Sequence, residues 1–509
     1  MYPGAYVAQF PDKPAVVMAG SGEGMTYREL DEGSARLARY LHDRGLRRGD
    51  HIALLTGNHP KAFEVYWAAL RSGLYITAVN RHLSPAEIAY VVNDCGARVL
   101  IVSGDLADAA EAIATDTPAV EVRLSYLGGV AGYESYEDVL RDSSSEPLPS
   151  QPAGLDMLYS SGTTGRPKGI KAPLPDRRVD EPGDMNVAVF GSLYGLGQDT
   201  VYLSPAPVYH AAPLRFCGTV QALGGTVVLM EKFDPEAALA AIERYHVTHS
   251  QWVPTMFVRM LKLDEATRSK YDLSTLRVAI HAAAPCPAEV KNAMIDWWGP
   301  ILHEYYSATE GIGITFITSE QWLRKPGSVG QAAAGAIRIC GDTGRELSAG
   351  EIGTIYFERD EMPFAYHNDP VKTAQAQHPD HPNWATTGDV GYVDDEGFLF
   401  LTDRKAFMII SGGVNIYPQE IEDALALHPE VLDSAVIGVP DPEMGESVKA
   451  VIQPAPGIAP SPELAEDLRT FLRDRIAHYK VPRGFDFVDE LPRTPTGKLI
   501  KRRLLDQHR

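Results

Sequence analysis

Cysteine is scarce. The chain has four in 509 residues, Cys95, Cys217, Cys286 and Cys340, far apart and with no C-x-x-C pair. That excludes a disulfide scaffold, argues against a zinc site and fits a reducing, cytoplasmic setting. Positive charge is also in deficit: 47 Lys and Arg stand against 67 Asp and Glu, a net charge of −20. A nucleic-acid surface, which needs clustered Lys and Arg against phosphates, is therefore not expected. No apolar run is long enough to span a bilayer, and no basic segment leads into an apolar one after Met1. Neither an integral membrane segment nor a signal peptide is expected. There is no G-x-S-x-G, so a serine-hydrolase elbow has no support. The pairs His246/His249 and His378/His381 have no cysteine and no convincing carboxylate partner at ligand spacing, which disfavours metal ligation.

An apolar content of 44% with 22% charged residues suits a globular protein. The length calls for two or more domains. The first third alternates between helix and strand. Thr26 with Glu29, and Ser84-Pro85 with Glu87, have the spacing of helix capping boxes. Strands are expected at 52–55, 75–79 and 99–102, with helices between them, which implies crossovers and a parallel sheet. The alternation continues through a helix at 235–245 and strands at 247–252 and 278–281. Residues 335–400 change to short strands with Gly-rich turns, as in a small β-barrel. After Asp403-Arg404-Lys405 come a helix from Pro418, strands at 435–439 and 449–453, and a helix from Pro462. The fold class is read as α/β: a large N-terminal domain, 1–402, of stacked mixed and parallel sheets with a small β-barrel-like subdomain, then a small α+β domain, 403–509.

One stretch stands apart, YSSGTTGRPKGI at 159–170. Ser160, Ser161, Thr163 and Thr164 crowd around Gly162, followed by Gly165 and Lys168. Small residues let backbone N–H groups approach an anion, hydroxyls donate to it and the lysine neutralises it. This is the chemistry of a polyphosphate loop; the alternative is a solvated linker. It is not a Walker loop. Counted from Gly162, Pro167 stands where the second glycine belongs and Gly169 where the Ser/Thr belongs.

The stretch resembles the signature of the adenylate-forming superfamily, which includes the acyl-CoA synthetases, and further motifs follow in that family's order. Tyr305-Tyr306-Ser307-Ala308-Thr309-Glu310-Gly311 is similar to its Y-x-x-T-E-G element, and Thr387-Gly388-Asp389 to its T-G-D element. Asp403-Arg404-Lys405 is similar to its hinge, and Pro492–Lys498 to the segment bearing its C-terminal lysine. The resemblance implies a nucleotide site of Ser160, Ser161, Gly162, Thr163, Thr164, Gly165, Lys168, Ala283, Ala284, Pro285, Tyr305, Tyr306, Ser307, Thr309, Asp389 and Arg404. In that site Tyr306 stacks on adenine and Asp389 accepts the ribose hydroxyls. Glu310 with Thr164 is implied for Mg²⁺, which favours carboxylates and substrate phosphates. Lys498, Glu310, Thr309 and His210 form the implied catalytic set. Ser411, Gly412 and Gly413 are implied to line a pantetheine channel. His210, Trp252, Val253, Gly311 and Gly313 are implied for the acyl pocket, the two glycines leaving room for a broad acyl group. His210 stands where amino-acid-activating members carry an aspartate, which implies an acid without an α-ammonium group. One departure is Ala406, where many members carry a charged hinge residue.

The implied activity is that of an ATP-dependent acid–CoA ligase, with ATP, Mg²⁺ and coenzyme A as cofactors and a fatty, aromatic or steroid-side-chain acid as substrate. Attack of the carboxylate on the α-phosphorus would release pyrophosphate. The small domain would then rotate and a thiol would displace AMP. The alternatives are an acyl-AMP ligase that loads a carrier protein, a luciferase-like oxygenase, a non-catalytic nucleotide-binding homologue and a simple P-loop ATPase. A homodimer is the default expectation for the assembly.

Overall fold

The computed structural model describes residues 1–160, 167–404, 407–411, 414–442, 444–493 and 499–508. The chain divides into two compact units. One comprises Met1–Trp252, Leu263–Ala279 and Pro363–Ala374; the other comprises Val253–Lys262, Ile280–Met362 and Gln375–Arg509.

In the first unit a six-stranded sheet is parallel throughout. Its order is Glu134–Ser135, Val122–Tyr126, Ala97–Ser103, His51–Leu55, Tyr75–Val79, Leu155–Asp156. Its central strands, His51–Leu55 and Tyr75–Val79, are wholly buried because helices cover them, and they read as largely apolar runs. Both anticipated capping boxes are present, on the helices Tyr27–Asp43 and Pro85–Asp94. A second run of strands takes the order His249–Trp252, Val201–Ser204, Thr226–Leu229, Pro14–Met18, Gly24–Thr26. It is parallel except for its final hairpin. A small antiparallel sheet joins Leu158–Ser160, Lys168–Lys171 and Ala365–Tyr366.

The second unit is mainly antiparallel. Leu302–Ser307 pairs with Ile314–Ile317, and the order continues through Ser328–Ala334, Leu399–Arg404, Asp389–Val393 and Gly353–Glu358 to Ala336–Cys340. The C-terminal residues build their own sheet around the hairpin Val431–Asp441/Gly445–Pro454, with Gly484–Phe487 added in parallel. The helices Pro418–Leu425 and Pro462–Arg473 supply Ile421, Leu425, Leu464, Leu468 and Leu472 to a core with Val436, Ala450 and Ile452.

Three of the four histidines in the two pairs have structural duties. His249 bonds to the Thr248 hydroxyl and the Tyr194 carbonyl, at 2.8 and 3.0 Å. His378 bonds to the Gly344 carbonyl at 2.8 Å, and His381 stacks on Trp384.

Candidate active site

In the first unit the phosphate-loop motif is bounded by paired strands, with Ser160 opposite Lys168. Ser161, Gly162, Thr163, Thr164 and Gly165 lie outside the described residues. The flank is anchored by Tyr159, whose hydroxyl donates to Asp94 at 2.5 Å. On the returning strand the Lys168 ammonium sits 5.0 Å from the centre of the Tyr366 ring, and His367 donates its N–H to the Gly169 carbonyl at 2.8 Å. A side chain at Gly169 would collide with Met157 and Tyr159, so this glycine permits close packing beside the loop.

Also in the first unit, His210 is half-buried at the N-cap of the helix Ala211–Ala222. Its ring centre is 4.6 Å from that of Tyr209, and His82 approaches Tyr209 edge-on at 6.3 Å. Tyr209 is 6% exposed and its hydroxyl is buried with no hydrogen-bond partner among the described residues. Burial pushes its phenol well above the usual range, so the hydroxyl stays protonated as a donor. Trp252 is 1% exposed; its indole N–H donates to the Ser250 hydroxyl at 2.7 Å and its ring meets Phe233 edge-on. It is a core residue.

In the second unit the strand Leu302–Ser307 delivers Tyr305, Tyr306 and Ser307 to its end, and Val253 is buried at the N-cap of Pro254–Leu261. The Tyr306 hydroxyl donates to Asp389 Oδ2 at 2.6 Å, and the Thr387 hydroxyl donates to the same oxygen at 2.7 Å. Two motifs far apart in sequence therefore meet directly. Arg404 joins them through the backbone, as the residue opposite Asp389 in the neighbouring strand. Beyond Ser307 the chain closes a turn in which the Gly311 N–H donates to the Ala308 carbonyl at 3.0 Å, with Gly311 at φ +65°. Thr309 and Glu310 occupy its corner, Thr309 half-buried and Glu310 buried. The Ser307 hydroxyl is tied to the Gly313 carbonyl at 2.8 Å. The room expected at Gly313 is filled: an added Cβ would fall 1.9 Å from the Phe357 ring. At Gly311 nothing lies within 4 Å of that position.

The segment of Ala283, Ala284 and Pro285 follows the strand Val278–His281, and Ala283 takes a left-handed backbone at φ +74°. Such a conformation in a non-glycine residue costs energy and gathers at ligand sites. The same strand and the Tyr305–Tyr306 strand share a buried ionic anchor that no local motif announces. Lys291 Nζ lies 2.6 Å from Glu304 Oε2, and His281 Nε2 lies 3.6 Å from that oxygen. Burial raises the Glu304 carboxyl, opposed by Lys291; burial, then Lys291, lowers His281, which stays neutral.

At the C-terminal end Ser411 is buried, while Gly412, Gly413 and Lys498 lie outside the described residues.

Comparison with known proteins decides what this arrangement belongs to. Residues 5–366 match the model of the AMP-binding enzyme family, and residues 420–498 match its C-terminal domain. The chain belongs to the adenylate-forming superfamily of AMP-binding enzymes. A feruloyl-CoA synthase of Amycolatopsis is 35% identical over 497 residues, covering 96% of this chain and 94% of that protein. A long-chain-fatty-acid–CoA ligase of Bacillus subtilis is 29% identical over 98% of this chain and 92% of its own. Among solved structures, the anthranilate CoA ligase AuaEII in complex with anthranoyl-AMP superposes with a TM-score of 0.85 at 26% identity. That match covers 100% of this chain and 97% of the other.

This AMP-binding enzyme is an acyl-CoA synthetase, with ATP, CoA and a small carboxylic acid as its substrates. Glu310, buried at the corner of the turn after Ser307, offers a carboxylate oxygen, the kind of ligand Mg²⁺ takes together with substrate phosphates. Among the described residues, no helix is long and apolar enough to cross a membrane. Tyr209 is the residue that motif reading passed over; its signal was an aromatic directly before His210.

Proposed function

We propose that the enzyme activates an aromatic carboxylic acid carrying a ring oxygen, as its acyl-AMP, and passes the acyl group to coenzyme A. The observation that carries the choice of acid is Tyr209. A buried hydroxyl without a partner costs free energy, and a ligand acceptor would remove that cost. The rings of His82 and His210 beside it suit a flat aromatic group. The feruloyl-CoA synthase and the anthranilate ligase among its relatives support an aryl acid; the long-chain-fatty-acid ligase of Bacillus supports an aliphatic one.

In this reading the acid's carboxylate, already ionised near neutral pH, attacks the α-phosphorus. The bond to the β-phosphate oxygen breaks and pyrophosphate leaves with the electron pair. Lys498 contacts the carboxylate and the α-phosphate as charge builds, and Thr309 donates to the α-phosphate. Lys168 and the hydroxyls at 160–164 hold the outgoing pyrophosphate. Mg²⁺ held by Glu310 and Thr164 would offset the charge of the triphosphate. Asp389 receives the ribose hydroxyls, oriented beforehand by Tyr306 and Thr387. Residues 403–509 act as a mobile domain that withdraws Lys498 and presents Ser411–Gly413 to the pantetheine arm. The CoA sulfur, as thiolate, then attacks the acyl carbon and AMP leaves.

The test is Tyr209→Phe assayed on paired acids with and without a ring oxygen. Losing one hydrogen bond should lower kcat/KM about 2- to 10-fold for the oxygenated acid and leave its plain partner unchanged. Equal effects on both acids, or a wild-type preference for long aliphatic acids, would contradict the aryl reading.

A further inference from the structure

Lys498 acts in one half-reaction only on the reading above, so the residues that flank it must hold it in a fixed register. Residues 494–498 lie between Arg493 and Leu499, which face each other in an antiparallel bridge. The Ile500 N–H donates to the Pro492 carbonyl at 2.7 Å.

Two ion pairs fasten this base. The Arg493 guanidinium forms a fork on Asp433, with Nη2 at 2.5 Å from Oδ1 and Nε bonded to Oδ2. Lys501 Nζ lies 2.9 Å from Glu422 Oε1, with the two side chains only 8% and 10% exposed. Both acids are themselves tied to one strand, Val431–Asp441. Asp433 Oδ1 accepts the Ser434 N–H at 2.8 Å, and Glu422 Oε1 accepts the Val436 N–H at 2.6 Å. Leu499 packs against the cluster of Ala435 and Ile437 on the same strand, Val451 on the next strand, Leu491 and Leu504.

We propose that Arg493–Asp433 and Lys501–Glu422 are positioning pairs that hold the base of the Lys498 segment on the strand Val431–Asp441; this rests on the adenylating role of Lys498 given above. Stability alone does not call for them. A buried ion pair stabilises no more than well-packed apolar residues of similar volume. What a bidentate guanidinium–carboxylate pair adds is fixed geometry. A lysine that must reach both a carboxylate and an α-phosphate needs that geometry, since a displacement of about 1 Å can cost about a hundredfold in rate.

The test separates the half-reactions: pyrophosphate release from ATP and acid, and thioester formation from supplied acyl-adenylate and CoA. For Arg493→Met, kcat of the first should fall about 10- to 100-fold with KM for ATP changed by less than about twofold. The second half-reaction should keep its wild-type rate. Asp433→Asn, which keeps the side-chain shape, should show a smaller loss in the same half-reaction. The charge-swapped pair Arg493→Asp/Asp433→Arg should recover part of it. Equal losses in both half-reactions, or none in the first, would overturn the proposal. Lys498→Ala is run alongside. If it shows the split and Arg493→Met does not, the positioning pairs alone are wrong. If Lys498→Ala loses both half-reactions alike, the reading of the lysine fails and the positioning role with it.

Discussion

Tyr306 and Asp389 are 83 residues apart and meet at 2.6 Å. Each is expected from the sequence to be a nucleotide-binding residue, because each sits in a short motif. Their bond is not, because it depends on the register of a sheet: Tyr306 opposite Thr315, and Asp389 opposite Arg404. His51 shows the same limit. Its ring stacks on Tyr75 at 4.7 Å, its Nε2 lies 3.0 Å from the Lys171 ammonium, and His367 is 6.0 Å away. Burial first, then Lys171 and His367, against a smaller opposing effect of Asp50, push the imidazole down to about 4. The folded protein therefore keeps His51 neutral where the unfolded chain, with an ordinary value of 6.5, already binds a proton. Stability contributed at this site is full above pH 6.5 and is lost as pH falls toward 4. His51→Gln retains an acceptor for Lys171 but cannot titrate. It should flatten the slope of unfolding free energy against pH in that window by up to about 1.4 kcal/mol per pH unit, measured by urea unfolding. An unchanged slope would mean that His51 is protonated in the folded state.

At the scale of elements, local chemistry was readable and long-range chemistry was not. The helices Tyr27–Asp43 and Pro85–Asp94 begin where their capping boxes predict, since the signal lies within four residues. The helix Ala211–Ala222 was missed; Pro213 and Gly218 interrupt its sequence, and burial of nearly all its residues leaves no polar face to give a period. The strands Val431–Asp441 and Gly445–Pro454 run longer than their apolar cores suggested, because their pairing continues through Pro440 to Asp441 opposite Gly445. The Lys291–Glu304 pair couples the helix Ala288–Trp298 to the strand that carries Tyr306. Lys291→Met leaves Glu304 buried without its cation and should destabilise the protein by roughly 3–5 kcal/mol. Removing both charges, as in Lys291→Met/Glu304→Leu, should restore most of that. Chemical denaturation of the two variants checks it, and a double variant no better than the single would contradict the ion-pair explanation.

For the whole molecule, the α/β class and the family were legible because the motifs occur in order along nearly the entire chain. The compact units are less so. The change of pattern expected at residues 402 and 403 lies within the strand Leu399–Arg404. The second unit by contact also draws on Val253–Lys262 and Ile280–Met362. Periodicity reports element type, whereas compactness depends on which segments fold back on one another. Charge acts at this scale too. ATP, the acid and CoA are anions and the chain carries −20, so in the proposed chemistry local cations such as Lys168, Arg404 and Lys498 would work against the global field. The most direct measurement of the proposed chemistry is a product assay with ATP and an aryl acid, run before and after CoA is added. The expected result is pyrophosphate released with enzyme-bound acyl-AMP before CoA, then acyl-CoA and AMP in equal amounts once CoA is present. ADP and phosphate in place of AMP and pyrophosphate, or no thioester on adding CoA, would contradict it.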